Sequence, residues 1–238
     1  MFTSQGPTLR ELAEQALTSV ERGYDLLAPK FDHTPFRTPD RFLAATEAAL
    51  TRLGPFDSGL DLCCGTGAGL DVLHAVCRRR VTGVDFSAGM LARAAEGKAG
   101  ASAQLVRADA RALPFGAAFD LAVSFGAFGH FLPAERPGLL AGIHRVLRPG
   151  GVLAFPVAAP PRIGTPAYWA LLGFDAAMRV RNRVRRPPFV MYYRTWPLDA
   201  VRADLERAGF TVELHPLEEF GRRADGSPRC RLIVGRKG

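Results

Sequence analysis

The 238-residue chain has few cysteines and no long apolar run. Its four cysteines are Cys63, Cys64, Cys77 and Cys230. Neighbouring cysteines rarely bridge each other, and this spacing fits no metal-ligand pattern, so we expect reduced thiols and no metal site. No apolar stretch reaches the roughly 20 residues that span a bilayer, so the sequence predicts no transmembrane helix. Because residues 1–7 also lack the charged-then-apolar layout of a signal peptide, we expect a cytoplasmic protein.

Lysine is scarce as well and occurs only at positions 30, 98 and 237. Arginine therefore supplies nearly all the positive charge of a chain whose net charge is +8. An arginine bias spread over a whole chain often reflects coding composition, so this charge does not predict a nucleic-acid partner. The length and a hydrophobic fraction of 47% suit one α/β domain with a modest extra layer.

The most informative segment spans residues 59–69, where an apolar strand ends in Asp61 and runs into a glycine-rich turn. Glycine has no Cβ, so the backbone of such a turn can approach a ligand closely. A strand, a glycine turn and a helix N-terminus typically form a nucleotide-type cofactor site in an open α/β sheet. Gly65 and Gly67 fit the dinucleotide fingerprint, but its third position falls on Leu70, which is too large for close helix–strand contact. The turn therefore predicts such a cofactor and disfavours nicotinamide dinucleotides.

The next two predicted strands also end in acids, Asp85 and Asp109. Asp85 follows Gly65 by 20 residues (85 − 65), the usual spacing for a carboxylate that binds ribose hydroxyls. Each acid alone could be a loop residue or a helix N-cap. Three in succession, counting Asp61, instead indicate carboxylates along one edge of a crevice.

Five segments in this order resemble the motifs of the class I S-adenosylmethionine-dependent methyltransferases, in particular the enzymes that act on small molecules. Cys63 replaces the first glycine of the family's acid-x-Gly-x-Gly-x-Gly turn, at a position that often varies. The resemblance covers roughly residues 55–157 and the C-terminal strands. The five segments are 61–67, 83–91, 106–115, 119–124 and 147–153.

The resemblance implies a Rossmann-like α/β fold, a doubly wound seven-stranded sheet in the order 3-2-1-4-5-7-6 with the last strand antiparallel. It divides the chain into an N-terminal helical cap at 1–54 and a methyltransferase core at 55–238, with a lid insertion at 159–194 after the fifth strand. It also implies S-adenosyl-L-methionine as the cofactor and S-adenosyl-L-homocysteine as its product.

At the methionine end of the cofactor, the resemblance implies that the turn formed by Gly65, Thr66 and Gly67 lets the backbone meet the ligand. Asp61 is expected to orient the amino group through water. Tyr24 is expected near the cofactor's carboxylate, although it fits equally well as an apolar contact of an amphipathic helix.

At the adenosine end, Asp85 is expected to accept hydrogen bonds from both ribose hydroxyls, with Phe86 against the adenine. Asp109 is expected to accept from the adenine amino group, while the Ala110 amide donates to a ring nitrogen. Met90 is also expected to bind the cofactor. Carboxylates suit these roles because hydroxyl and amino groups are donors.

The N-terminal region carries apolar residues three and four apart from Leu9 to Leu27, which predicts one amphipathic helix. A second helix is predicted after Thr38 as N-cap, with Pro39 at its first position and Gly54 at its end. In the resembled family, such helices cover the cofactor and shape the substrate pocket.

The segment 159–194 is rich in aromatic residues and then in arginines. We expect a helical lid that carries aromatic side chains toward the substrate. Its arginines allow three interpretations: a solvated face, a clamp for an anionic substrate, or a peripheral membrane contact. They stand at positions 179, 181, 183, 185 and 186.

Methyl transfer from a sulfonium is an in-line displacement, to which a protein contributes mainly alignment and the exclusion of water. Phe125, next to Ser124, is expected beside the sulfonium, since an aromatic face attracts positive charge. His130 is the best candidate for a general base, because imidazole titrates near neutral pH. A helix-start histidine bonded to backbone is the alternative. His33 is a weaker candidate, and His144 is predicted on a helix surface.

We therefore expect methyl transfer to an oxygen, nitrogen or activated carbon of a small, apolar or aromatic acceptor. The alternatives are a membrane-peripheral lipid or quinone methyltransferase, a nicotinamide-dependent oxidoreductase, and a catalytically silent binding module. Residues 124–127 lack the Asn/Asp-Pro-Pro-aromatic segment of nucleic-acid amino-methyltransferases, so no nucleic-acid partner is expected.

Overall fold

Within the described residues of the computed structural model, 5–185 and 196–238, seven strands form one sheet. The strands are β1 (Phe56–Leu62), β2 (Cys77–Asp85), β3 (Gln104–Arg107), β4 (Phe119–Val123), β5 (Leu147–Ala158), β6 (Phe210–Pro216) and β7 (Cys230–Lys237). Their order in the sheet is β3-β2-β1-β4-β5-β7-β6. β7 runs antiparallel to β5 and β6, whereas the other neighbours are parallel. The predicted strand order and the antiparallel last strand are confirmed.

Helices cover both faces of this sheet. They are α1 (Leu9–Leu17), α2 (Val20–Leu27), α3 (Asp40–Leu53), α4 (Ala68–Val76), α5 (Ala88–Glu96), α6 (Lys98–Ala101), α7 (Arg136–Val146), α8 (Pro166–Val184) and α9 (Leu198–Arg207). Short 3-10 helices lie at Ala28–His33, Ala110–Ala112, Ala127–His130 and Glu218–Phe220. Among the described helices, none combines the length and apolar character that crossing a bilayer requires.

The hydrophobic core lies in two layers, one on each face of the sheet. Successive side chains of a strand point to opposite faces. Ala122 and Leu153 accordingly join the layer beneath α7 and α9, while their neighbours Leu121 and Val152 join the layer beneath α3 and α4. Because helices cover both faces of this sheet, the side chains of its central strands β1 and β4 are nearly all buried. This burial fixes the carboxyl ends of β1, β2 and β4 along one edge, where the loops meet.

The N-terminal cap contains two helices where the sequence predicted one. Thr18 has extended backbone (φ −99°, ψ −171°) and ends α1. The side chain of Ser19 then accepts a hydrogen bond from the Arg22 amide (3.3 Å) and starts α2. Threonine and serine hydroxyls compete with helical hydrogen bonds, as the bond from Thr18 to the Gln15 carbonyl shows. Because the apolar spacing continues across this break, the sequence pattern did not indicate it.

The predicted start of α3 was also wrong, by one residue. Pro39 is the N-cap of α3, with extended ψ (142°), and the helix begins at Asp40 without a side-chain cap. Thr38 therefore lies outside the helix. The predicted end at Gly54 is confirmed, since Gly54 is the C-cap.

The predicted lid is helical within the described residues, where α8 follows β5. Arg181 of α8 donates hydrogen bonds to the carbonyls of Ala16 (2.7 Å) and Thr18 (3.0 Å), so α8 lies beside the junction of α1 and α2. Residues 186–194 of the predicted lid, including Arg186, lie outside the described residues.

Candidate functional site

A cavity of about 520 Å³ opens at the carboxyl edge of the sheet. This volume lies within the usual range for small-molecule sites. We refer to it as the main cavity. It brings together the predicted residues Tyr24, Gly65, Asp85, Phe86, Met90, Asp109, Ala110, Phe125 and His130. The predicted residues Asp61, Thr66 and Gly67 do not line it.

The glycine turn opens onto the main cavity at Gly65. Gly65 has a φ of +54°, and no atom lies within 4 Å of the place a Cβ would occupy. Its amide donates to Oδ2 of Asp85 (2.9 Å), while Oδ1 of Asp85 accepts from the Ser87 amide (2.9 Å). Asp85 is buried, and desolvation raises its pKa although these amides oppose the effect. Each carboxylate oxygen keeps a further lone pair for a ligand hydroxyl.

Gly67 and Thr66 hold the turn rather than line the main cavity. A Cβ on Gly67, whose φ is +95°, would lie 3.3 Å from the Ala94 side chain of α5. Thr66 donates to Asp32 (2.7 Å), in the 3-10 helix of the N-terminal cap. The structure thus gives both residues packing roles, and their predicted contact with a cofactor stays a prediction.

Asp61, at the end of β1, lies beneath the glycine turn. It is 1% exposed, and no described residue donates a hydrogen bond to its Oδ1. Burial raises the pKa of this carboxyl well above its usual value, and the charge of Asp85 adds to the effect. A Cβ on Gly69 would clash with Oδ2 and with the ring of Phe125, so the acid sits tightly against the first turn of α4. A buried acceptor without a donor suits a cationic or amino ligand group nearby.

Cys63 is a wall residue of the main cavity that the sequence analysis did not assign to the site. It is a non-glycine residue in the left-handed region (φ 56°). Desolvation raises the pKa of its thiol well above the usual value, and the charges of Asp85 and Asp61 raise it further. The signal was present in the sequence, because Cys63 stands where the resembled motif has a glycine.

The far end of the main cavity is closed by an ion network. Oδ1 and Oδ2 of Asp109 both accept from Nε of Arg111 (3.0 Å each), and Arg111 also pairs with Glu135 (2.6 Å). Although burial raises the pKa of Asp109, the hydrogen bonds from Arg111 bring it below the usual value. Arg111 and Glu135 line the main cavity and were missed, since they are 24 residues apart and no local pattern joins them. An adenine amino group would share Asp109 with this arginine.

Acids of the N-terminal cap bind the loops at the strand ends. Oδ1 of Asp25 accepts from the Ser87 hydroxyl (2.6 Å) and from the Gly89 amide (2.9 Å), at the start of α5. Glu21 pairs with Arg107 at the end of β3 (2.8 Å). Together with the bond from Thr66 to Asp32, these contacts fasten the cap over the main cavity.

His130 lies on the wall between the main cavity and a second cavity of about 290 Å³. Nε2 of His130 is 2.8 Å from the Tyr24 hydroxyl, and the two rings meet edge to face with centroids 5.3 Å apart. Gly126, with a φ of +77°, turns the chain after β4 into the 3-10 helix that presents His130. The two cavities share Tyr24, Phe36, Gly126 and His130.

The second cavity is mostly apolar. Its other lining residues are Pro35, Arg37, Thr38, Pro39, Phe42, Gly129, Pro156 and Ala158. The weaker base candidate, His33, is exposed and lines neither cavity. His144, predicted on a helix surface, is half-buried in α7, and its ring packs edge to face on Phe210 at 5.0 Å.

The aromatic residues of α8 do not face the substrate space, contrary to our expectation. Within residues 166–184, none lines either cavity. Tyr168 and Trp169 instead contact each other at 5.3 Å, and Trp169 is 58% exposed. The aromatic lining of the main cavity comes from Tyr24, Phe31, Phe36, Phe86, Phe125 and Phe131. The aromatic residues Phe189, Tyr192 and Tyr193 lie outside the described residues.

Comparison with known proteins agrees with this geometry. Residues 60–151 match a family model described as a methyltransferase domain. A demethylmenaquinone methyltransferase from Mycobacterium marinum is 32% identical over 183 residues, which are 73% of this chain and 75% of that protein. An uncharacterized methyltransferase from Synechocystis is 38% identical over 103 residues, 43% of this chain. The match spans 47% of the Synechocystis protein, about half its length.

Among solved structures, human N-acetylserotonin methyltransferase in complex with S-adenosylmethionine superposes with a TM-score of 0.59. The superposition covers 92% of this chain and 56% of that one, at 15% identity. At this identity the likeness concerns the fold.

Proposed function

The chain belongs to the class I S-adenosylmethionine-dependent methyltransferases, with S-adenosylmethionine as cofactor, and we propose that it methylates a small apolar or aromatic acceptor. The acceptor atom is an oxygen, a nitrogen or an activated carbon, and S-adenosylhomocysteine is the second product. The methyl group moves by in-line displacement. Family membership disfavours the nicotinamide-dependent alternative.

The residues of the main cavity fit this cofactor. Asp61 lies beneath the cavity rather than on its wall, and its Oδ1, which has no hydrogen-bond partner among the described residues, suits a contact through water with the amino group at the methionine end. The open backbone at Gly65 leaves room beside it, and Asp85 offers its free lone pairs to the ribose hydroxyls. When bound, S-adenosylmethionine supplies an electrophilic methyl group on a sulfonium. The protein's part is to fix its orientation and to exclude water, which the fastened N-terminal cap favours.

One observation carries the assignment of the acceptor side: the contact between Tyr24 and His130 on the wall that both cavities share. The acceptor occupies the second cavity, with its reacting atom toward that wall. His130 takes the proton that an oxygen or nitrogen acceptor loses, and Tyr24 positions the imidazole. Because the wall adjoins both cavities, the base lies beside the place where the methyl donor and the acceptor meet.

A quinone-type ring is the acceptor class that we favour. The aromatic and proline residues of the second cavity suit a flat apolar ring. The relative from Mycobacterium marinum is named for the methylation of a demethylmenaquinone. A screen of phenols, quinols and aromatic amines, with released homocysteine as the readout, tests this class.

The site itself is tested with His130→Ala against a matched control. His33→Ala removes a histidine that is exposed and lines neither cavity. Isothermal titration should give all three proteins the same affinity for S-adenosylmethionine, while only His130→Ala loses turnover. Wild-type protein that binds neither S-adenosylmethionine nor S-adenosylhomocysteine at millimolar concentration would overturn the proposal.

A membrane-peripheral version of this activity is the second candidate. Trp169, Val180 and Val184 of α8 are 58%, 65% and 78% exposed, and Arg183 and Arg185 stand beside them. Exposed apolar and arginine residues on one helix are typical of binding at a lipid surface. Co-sedimentation with anionic liposomes that is lost in Arg183→Ala/Arg185→Ala would support this version, and no co-sedimentation would exclude it.

A further inference from the structure

A third cavity, which we call the arginine cavity, shares no lining residue with the two cavities described above. It has a volume of about 180 Å³, several times the ~30 Å³ share of one water molecule. It is formed where the chain leaves β5 and meets the turn that precedes β7. Its lining residues are Ala159, Pro160, Pro161, Arg162, Arg223, Ala224 and Arg229.

Three of these lining residues are arginines, and none is an acid. Within the described residues, Arg162, Arg223 and Arg229 form no ion pair with a carboxylate. Acids lie near this region, since the neighbouring Arg222 pairs with Glu218 and the charge of Arg223 contributes, after hydrogen bonds from Ser227, to the lowered pKa of Asp225. Three like charges around one small cavity repel each other, and an anion in the cavity would relieve that repulsion.

Hydrogen bonds to backbone carbonyls preorganise the arginine cavity. Arg223 donates a side-chain hydrogen bond to the Pro160 carbonyl, and Nε of Arg229 donates to the Arg222 carbonyl (3.0 Å). The Ala159 amide donates to the Arg229 carbonyl (2.8 Å), which joins the two walls. Each of these two guanidinium groups keeps further N–H donors, and the side chain of Arg162 donates no hydrogen bond to any residue that the structure describes.

We propose that the arginine cavity binds a phosphate-type oxyanion. Guanidinium groups present paired N–H donors that match phosphate oxygens, and hydrogen bonds between charged partners are the strong ones. Ala159, Pro160 and Ala224 make the rest of the wall small and apolar.

Two sources could supply this phosphate: the headgroup of an anionic lipid or the phosphate group of a soluble ligand. Ile163 directly follows Arg162 in the chain and is 83% exposed, and Trp169, six residues further on, is 58% exposed. Apolar side chains beside a phosphate site suit a lipid surface. The experiment therefore has one arm for each source.

Binding is measured with inorganic phosphate and a soluble phosphomonoester by isothermal titration. Flotation measures it with vesicles of phosphatidylcholine, alone and mixed with phosphatidylglycerol. The test variant is Arg162→Gln/Arg223→Gln/Arg229→Gln. The matched control, Arg10→Gln/Arg52→Gln/Arg78→Gln, removes the same charge from exposed arginines that line no described cavity. These assays need no methyl transfer, so their outcome is independent of the proposed function.

The test variant should lose binding by about tenfold or more, while the control keeps it. Loss with phosphate and the phosphomonoester alone identifies a soluble ligand, and loss with anionic vesicles as well identifies a lipid headgroup. Equal losses in both variants, or no binding by the wild type in either arm, would overturn the proposal. Should the triple variant fail to fold, Arg162→Gln replaces it, because the Arg162 side chain makes no hydrogen bond within the described residues.

Discussion

Replacing Asp61 by asparagine is expected to stabilise the ligand-free protein at neutral pH and to weaken its binding of S-adenosylmethionine. The carboxyl is 1% exposed, and its Oδ1 has no donor among the described residues, so nothing compensates its desolvated charge. An unsatisfied buried polar group costs about 1–3 kcal/mol, and a charged one costs more. A gain of 1 kcal/mol raises the Tm of a protein of this size by about 2–4 °C. Asparagine leaves a neutral unpaired group in place of the charged one, so for each 1 kcal/mol that the charge adds to this cost we expect Asp61→Asn to unfold about 2–4 °C higher than wild type.

The raised pKa of Asp61 determines how the stabilisation by Asp61→Asn changes with pH. Burial, with the charge of Asp85, raises the pKa of Asp61 well above 3.8 in the folded protein. The folded state thus retains a proton that the unfolded chain releases, so this group lowers stability as the pH rises from the unfolded pKa toward the folded one. The advantage of Asp61→Asn should grow as the pH rises from 3.8 toward the folded pKa and disappear below pH 3.8, where both states are protonated.

Binding of S-adenosylmethionine should reverse the order of stability, so that the wild type unfolds at a higher temperature than Asp61→Asn. A hydrogen bond to a charged group contributes about 1.5–3 kcal/mol, so its loss should raise the Kd for S-adenosylmethionine about 10- to 150-fold. Thermal unfolding across pH, with and without the cofactor, and isothermal titration measure both effects.

Thr82→Val is the matched control, because Oγ1 of Thr82 is also buried with no hydrogen-bond partner among the described residues but lies within β2. It should stabilise the protein at every pH and leave the Kd unchanged. An Asp61→Asn variant that is less stable than wild type at neutral pH, or binds the cofactor equally well, would refute the reasoning.

Three further predictions concern the cap, the turn and the base. His130→Ala should slow single-turnover methyl transfer about 10²- to 10⁴-fold without changing cofactor affinity; an unchanged rate would remove His130 from the mechanism. Asp25→Ala removes the acceptor of the Ser87 hydroxyl and the Gly89 amide, so it should destabilise the protein by about 1 kcal/mol and speed cofactor release in stopped-flow measurements; a wild-type release rate would contradict the role of the cap. Cys63→Gly relieves the left-handed backbone and should stabilise the protein by up to about 1 kcal/mol in urea unfolding; a lower stability would show that the thiol's packing outweighs the strain.

The acids at the strand ends were predictable because their signals are local, and the strand order followed from the resemblance to a known family. An apolar run that reaches an acid, as at Asp61 and Asp85, is encoded in a few consecutive residues, and the succession of three such acids indicated one edge of a sheet. The glycine at position 65 is equally local, since its positive φ is a property of one residue.

Other features were not predictable from local patterns. The break at Thr18 and Ser19 interrupts apolar spacing that continues on both sides, so periodicity alone cannot detect it. The outward orientation of Trp169 depends on how α8 packs against the rest of the chain. The contact of Gly67 with Ala94 also could not be predicted from the turn, because Ala94 belongs to α5, which lies further along the chain.

The sequence by itself determined the sheet, the glycine turn and the family, because periodic burial and short motifs are encoded within a few consecutive residues. Only the tertiary structure decided which side chains share the site. Tyr24 and His130 are 106 residues apart, and Asp25 and Ser87 are 62 apart. Such contacts arise when packing brings distant segments together, and no local pattern records which partners will meet.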